Sequence, residues 1–230
     1  MVQVSLNGSR TAADGAAVPM SPEALVEAAV GSVAAGAAEI LVHPRTPCGR
    51  ESLSPRVAGP LLAALRAAVA VPLAVSATVP GEPDPVGRIH AWEILPDRAT
   101  VDLAEPGAAA VAAALAERGI AVDGVLRPGP GGGPAPEIPY ARLVVELTAA
   151  DPALLRGPGG TVVYGRGAAA WPVFRMAVAA GYSCRTGIGD VLHLPDGRPA
   201  RSNAELVSAA TALATGLGGC PADQGRARPA

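Results

Sequence analysis

Residues 99–126 read ATVDLAEPGAAAVAAALAERGIAVDGVL. A short run rich in apolar and β-branched residues, Ala99 to Leu103, is followed by an alanine-rich stretch, and a second such run, Ala121 to Leu126, follows Arg118-Gly119-Ile120. Alanine is the strongest helix former, whereas valine, isoleucine and threonine favour a pleated strand. A glycine at the junction supplies the left-handed residue with which a helix turns into the next strand. The stretch is therefore strand, helix, strand, and its period sets the rhythm to look for elsewhere in the chain.

The same rhythm runs outward in both directions. Strand candidates are Val2 to Leu6, Glu39 to His43, Pro72 to Thr78, Ala99 to Leu103, Ala121 to Leu126, Arg142 to Leu147, Thr161 to Tyr164 and Tyr182 to Arg185. Helix starts are marked by Ser21 before Pro22, Ser54 before Pro55, Asp151 before Pro152, and Ser202 with Glu205 as a capping box. Gly36, Gly119 and Gly181 close helices. Eight strands in 230 residues, just under the roughly 250 typical of the fold, predict a single, shortened TIM-type (β/α)8 barrel over residues 1–215. The segment Arg127 to Pro139, with Gly131, Gly132 and Gly133, carries too much glycine and proline for a helix, so a loop is expected to replace one barrel helix. Residues 216–230 read as a flexible tail. An open doubly wound sheet would alternate similarly, but Leu6-Asn7-Gly8-Ser9-Arg10 lacks the glycine fingerprint of its dinucleotide-binding form.

Composition excludes several partners. Only 17% of residues are charged and the formal net charge is −2, so no basic field exists to neutralise nucleic-acid phosphates. No run approaches the roughly 18 uncharged apolar residues of a membrane span, and the first residues read as a strand rather than a secretory signal, so a cytoplasmic location is expected. Cys48, Cys184 and Cys220 have no CxxC spacing and read as free thiols. With aromatics at 3%, the core must fill with alanine, valine, leucine and isoleucine.

In such folds the side chains at the carboxyl ends of the strands converge on one mouth. Here these are Asn7, Arg10, His43, Arg45, Ser76, Asp102, Glu105, Arg127, Glu146, Tyr164, Arg185 and Asp190. Several guanidinium groups among carboxylates and one imidazole suit a small anionic molecule such as a carboxylic acid. A structural role is open to each: Arg45 with Glu51, or Arg185 with Asp190, would form salt bridges pinning loops to the rim. His43 is the only histidine at a strand end, and a lone histidine is more often structural than a ligand.

Three sets of residues carry a resemblance to a known family: Leu6-Asn7-Gly8-Ser9-Arg10-Thr11; Val42-His43-Pro44-Arg45 with Gly49-Arg50-Glu51-Ser52-Leu53; and Leu194-Pro195-Asp196-Gly197 with Ser202-Asn203-Ala204-Glu205-Leu206-Val207. Together with Ala168-Ala169-Ala170-Trp171-Pro172-Val173 and Glu105-Pro106-Gly107-Ala108, this ordered series resembles the β-keto acid cleavage enzymes, which include the 3-keto-5-aminohexanoate cleavage proteins. The resemblance runs from about Val2 to Leu213. It implies a barrel enzyme that condenses a β-keto acid with acetyl-CoA, giving acetoacetate and a new CoA thioester. A divalent metal, usually zinc, would sit on a His-x-His pair and a glutamate.

By that resemblance Arg185 and Asp190 would be the proton-abstracting pair. Ser76 would match a substrate-contacting serine and His43 would be the surviving metal ligand, while Asn7, Arg10, Arg45 and Glu105, from their strand-end positions, are further candidate substrate contacts. The first histidine is replaced by Leu41 and the glutamate by Gly189. Neither offers a lone pair, and catalytic metals generally need about three protein ligands. Loss of the metal is therefore expected, with Cys48, Asp190 and Cys184 as conceivable substitute ligands. Thr46 stands where short family members have aspartate, Asp102 and Ala104 where they have an Asn-x-Ser sequence, and Tyr164 where a histidine is expected. Two functions follow: a β-keto acid cleavage enzyme, or a non-catalytic barrel that binds a carboxylate, a CoA-type ligand or an active paralogue. A homo-oligomer is implied by resemblance alone.

Overall fold

The β-branched runs pair in sequence order. In a computed structural model, which describes residues 1–128, 138–155, 157–158 and 160–217, β1 (Val2–Ser5), β2 (Glu39–Val42), β3 (Leu73–Ser76), β4 (Arg98–Asp102), β5 (Ala121–Leu126), β6 (Arg142–Leu147), β7 (Val162–Gly165) and β8 (Ser183–Thr186) form a closed barrel. Every pairing is parallel, and β8 closes on β1 with Gln3 opposite Arg185. All eight strand candidates are strands, their ends displaced by at most two residues, and the architecture is a (β/α)8-type barrel.

Around it lie α1 (Pro22–Ala34), α2 (Pro55–Ala68), α3 (Pro85–His90), α4 (Ala108–Glu117), α5 (Ala170–Ala179) and α6 (Asn203–Gly216). Alternation along each strand sends one set of side chains outward, where Ile40, Val42, Leu73 and Val75 meet Leu61, Leu62 and Leu65 of α2. A second outer core joins Val163, Val173, Phe174 and Leu206. The main apolar burial thus lies between barrel and helices.

Gly36, Gly119 and Gly181 take positive φ of 104°, 72° and 79°, as their positions at helix ends require. Helix starts conform less closely. Ser21 accepts a hydrogen bond from Ala24 N, but Ser54 makes no side-chain cap. Ser202 accepts from Glu205 N, whereas Glu205 turns to Arg201 N and leaves the capping box open. The expected helix after Asp151 is only a three-residue 3-10 turn, Pro152–Leu154. Gly157 and Pro158 follow too soon for a helical nucleus to propagate. The expected loop in place of a helix between β5 and β6 falls largely on residues 129–137, outside the described residues, as does the tail from 218 to 230.

The barrel interior holds a charged layer at its amino-terminal end that the sequence did not announce. Arg142 donates to both oxygens of Glu39, at 2.6 and 2.9 Å, and also to Asp123. Arg98 Nε donates to Asp123 at 2.9 Å, and the Gln3 amide donates to Glu39. Burial opposes the Arg142 charge, but Glu39 and Asp123 outweigh it and raise its pKa. Above this layer pack Val125, Val144, Val162 and the ring of Tyr164. No described helix is long and apolar enough to cross a membrane.

Candidate functional site

Above Tyr164 the barrel opens into a cavity of about 310 Å³, lined among others by Leu41, His43, Ser76, Glu105, Arg166 and Arg185. At the exit of β2, the Asn7 amide grips the His43 backbone from both sides: Nδ2 donates to the carbonyl at 2.9 Å and Oδ1 accepts from N at 3.0 Å. Asn7, a candidate substrate contact in the sequence, thus uses its amide to hold the end of the strand. The His43 imidazole lines the cavity, with Nδ1 2.9 Å from Glu51 Oε2. Glu51 was foreseen only as a partner for Arg45, and no signal in the sequence pointed it at His43.

Arg45 and Arg10 are also structural in their contacts. Arg45 donates to Gly49 O at 2.7 Å and Gly8 O at 2.6 Å, and reaches Glu51 at 3.5 Å. Burial lowers its pKa, with Glu51 and Asp14 opposing that shift. It lines a neighbouring cavity with Arg50 and Glu82, not the mouth. Arg10 Nε donates to Ile188 O at 2.6 Å, tying the segment after β1 to the one after β8. Ser76 and Glu105 do line the mouth, Ser76 Oγ donating to Thr78 O at 3.3 Å.

From β8, Arg185 forms a two-pronged pair with Asp190, both bonds 3.0 Å, with side chains 3% and 1% exposed. The Arg185 guanidinium carbon stacks 3.3 Å from the centre of the Tyr164 ring. Burial opposes the charge on Arg185, but Asp190 and Tyr164 together outweigh it and raise the pKa. Burial pushes the Tyr164 hydroxyl up to about 12, so it stays protonated and donates to Glu146 at 2.6 Å. Glu146 in turn meets Arg127 Nε at 3.0 Å and Arg166 Nε at 3.6 Å. Burial alone would raise its pKa, but Tyr164, Arg166 and Arg127 together bring it below the ordinary value. Arg127 also pairs with Asp102, and Arg166 lies 3.8 Å from Asp190. Glu146, Tyr164, Arg127 and Asp102 are among the strand-end candidates of the sequence, whereas Arg166 is not. Its signal was parity: two residues beyond Tyr164, it continues the inward-facing series past the strand end.

The residues do not fit the metal that the resemblance implies. Leu41 presents a hydrocarbon to the cavity. Gly189 has no room for a side chain, since a Cβ there would lie 2.3 Å from Ser5 Oγ and 2.7 Å from Gly8 N. The substitute ligands fare no better: Asp190 is engaged by Arg185, Cys184 is buried with its Sγ toward Phe174 O, and Cys48 is exposed in the β2–α2 segment. Among the described residues no three His, Cys, Asp or Glu side chains are placed to hold a metal ion.

A family model described as beta-keto acid cleavage enzyme matches residues 1–113 and 132–230. The chain belongs to this family. No curated protein matches the sequence. Among solved structures, this β-keto acid cleavage family chain is similar to ObcA in a ternary complex with a C4-CoA adduct and oxalate, at TM-score 0.65 and 15% identity over 88% of this chain and 64% of that one. Apo ObcA gives TM-score 0.64 and 15% identity over 88% of this chain and 62% of that one. The chain thus spans less than two thirds of the ObcA chains it matches. The 3-dehydroquinate dehydratase of Aquifex aeolicus VF5 matches at TM-score 0.55 and 11% identity, over 93% of this chain and 96% of that one. These likenesses share the barrel fold.

Proposed function

We propose that this member of the β-keto acid cleavage family binds a small β-keto acid at the barrel mouth, and does so without the divalent metal of the family. The observation that carries this is the contrast within one site. Positions 41 and 189 have no donor atoms, and a side chain at 189 would strike the Gly8 backbone. Yet three guanidinium groups, those of Arg127, Arg166 and Arg185, line the cavity. Guanidinium groups recognise carboxylates through paired N–H donors and need no metal to do so.

Without a Lewis acid to polarise the keto group, several kcal/mol of transition-state stabilisation are missing, on the order of what such a metal supplies. The chain is accordingly a binding barrel with little or no cleavage activity. A second reading, acetyl-CoA-dependent cleavage without the metal, is favoured by the intact Arg185–Asp190 pair, whose carboxylate could accept a proton. Titration calorimetry with 3-oxobutanoate and longer 3-oxo acids, in chelator and then in zinc, together with an acetyl-CoA-dependent consumption assay of the longer acids, separates the two. Binding that chelator leaves unchanged, without turnover, is expected. Zinc-dependent turnover with stoichiometric metal would refute the proposal, and metal-free turnover would establish the second reading. We further propose that the chain forms a homo-oligomer, which light scattering would read, and resides in the cytoplasm, which cell fractionation would read.

A further inference from the structure

The three guanidinium groups at the mouth are not equally engaged. Arg185 gives two hydrogen bonds to Asp190 and sits over the Tyr164 ring. Arg127 is shared between Asp102 and Glu146. Arg166 makes no side-chain hydrogen bond among the described residues. Its nearest carboxylate oxygens lie at 3.6 Å on Glu146 and 3.8 Å on Asp190, and its side chain is 40% exposed.

The backbone beneath Arg166 is fixed all the same. Gly165 sits so close to the following turn that a Cβ there would lie 2.7 Å from Ala169 O. On the other side Gly167, at φ +53°, donates its N–H to Asp190 O at 2.9 Å. A held backbone carrying a partly exposed guanidinium, none of whose five donors meets an acceptor among the described residues, is a place prepared for one.

We propose that Arg166 is the residue that takes the carboxylate of the ligand, with Arg185 serving to position the site around it. This rests on the carboxylate-binding reading above. Both flanking carboxylates can release Arg166 without becoming unpaired. Glu146 keeps the Tyr164 hydroxyl and Arg127, and Asp190 keeps both bonds from Arg185. Arg127 and Arg185 each commit two donors to buried carboxylates, so pulling either toward a ligand would stretch bonds already made, and a buried charge left unpaired is costly. The ligand class is a small carboxylate met end-on by one guanidinium, its remainder facing Ser76 and His43 across the cavity.

The test compares dissociation constants of 3-oxobutanoate and its methyl ester for wild type, Arg166→Gln, Arg166→Lys and, as a charge control away from the mouth, Arg50→Gln. For Arg166→Gln the acid should bind at least tenfold more weakly and the ester within twofold of wild type. Lysine should recover part of the loss, Arg50→Gln should change nothing, and melting should fall by no more than about 2 °C, because Arg166 has no hydrogen bond to lose and gives up only its attraction to Glu146 and Asp190 across 3.6 and 3.8 Å. Equal weakening of acid and ester, or an Arg50→Gln effect as large as that of Arg166→Gln, would overturn the assignment. If wild type prefers the acid and Arg166→Gln does so equally, the carboxylate sits elsewhere and only this inference falls. If wild type binds no 3-oxo acid, the proposed function falls and this inference with it.

Discussion

Replacing Gly189 with alanine should destabilise the protein measurably, and the size of the effect can be worked from the contacts. The added Cβ would lie 2.3 Å from Ser5 Oγ, 2.7 Å from Gly8 N and 3.0 Å from Gly8 Cα. The Ser5 hydroxyl can rotate away. The Gly8 backbone cannot readily follow, because its carbonyl accepts from Arg45 at 2.6 Å and its φ of +53° is one that side-chain-bearing residues seldom adopt. Overpacking of this kind costs about 1–3 kcal/mol, and backbone atoms on the far side place this case toward the upper end. For a chain of this length each kcal/mol lowers the melting temperature by about 2–4 °C, so a fall of roughly 5–10 °C is expected. Thermal melts followed by circular dichroism read it directly. The control is Gly31→Ala in α1, where a Cβ meets only Ala204 Cβ at 3.5 Å, an ordinary contact, and should leave stability level or slightly raised. Gly189→Glu with Leu41→His, nominally restoring the family's ligands, should melt lower still and bind zinc poorly. An alanine variant melting within about 2 °C of wild type, or a double variant binding stoichiometric zinc, would refute the reasoning.

Three other outcomes are expected. Arg142→Met leaves Glu39 and Asp123 short of a buried cation and should cost about 3–5 kcal/mol in urea unfolding near neutral pH; no loss would mean that the charged layer relaxes freely. Glu146 has a folded pKa below the ordinary 4.5, so the folded state binds its proton less readily than the unfolded one. Its contribution is complete above 4.5 and lost as pH falls through the folded value, so the stability gap between wild type and Glu146→Gln should narrow on acidification. Hydrogen bonds from Thr46 and Arg50 hold the Cys48 thiol down to about 7, whereas burial pushes Cys184 up to about 12. Iodoacetamide labelling followed by peptide mass spectrometry should show Cys48 reacting half-maximally near pH 7 and Cys184 inert, and a Cys48 midpoint near 9 would contradict the hydrogen-bonded arrangement.

The barrel was legible because each strand announces itself locally: a run such as Ala121 to Leu126 has no competing helical reading, and a glycine resets the chain before it. Asp151 misled because a good cap was followed by too few residues before Gly157 and Pro158, and capping cannot compensate for missing length. At the site, residue type and strand-end position were readable, but direction was not. Asn7 and Arg45 have the right chemistry for a ligand and spend it on His43 and Gly8 backbone atoms instead. Arg166, one residue past β7, escaped notice because its role depends on which guanidinium groups are already paired, a property of three dimensions.

Glycine at 189 links the missing metal ligand to the pair that remains. Lacking a side chain, the turn after β8 lies directly on the segment after β1. Gly189 N donates to Ser5 O at 3.0 Å, and a Cβ at Gly8 would lie 2.8 Å from Gly189 Cα. Arg10 grips Ile188 O from one side, while Asn203 accepts from Ile188 N at 2.8 Å and donates to Leu6 O at 2.9 Å from the other. Asp190 is the next residue, and this clamped turn is what sets its carboxylate against Arg185. A glutamate at 189 would force the turn off Gly8 and carry Asp190 with it. In this chain the absent ligand and the tight Arg185–Asp190 pair are therefore one arrangement, so metal binding should return only with changes at the Gly8 contact as well as at 41 and 189.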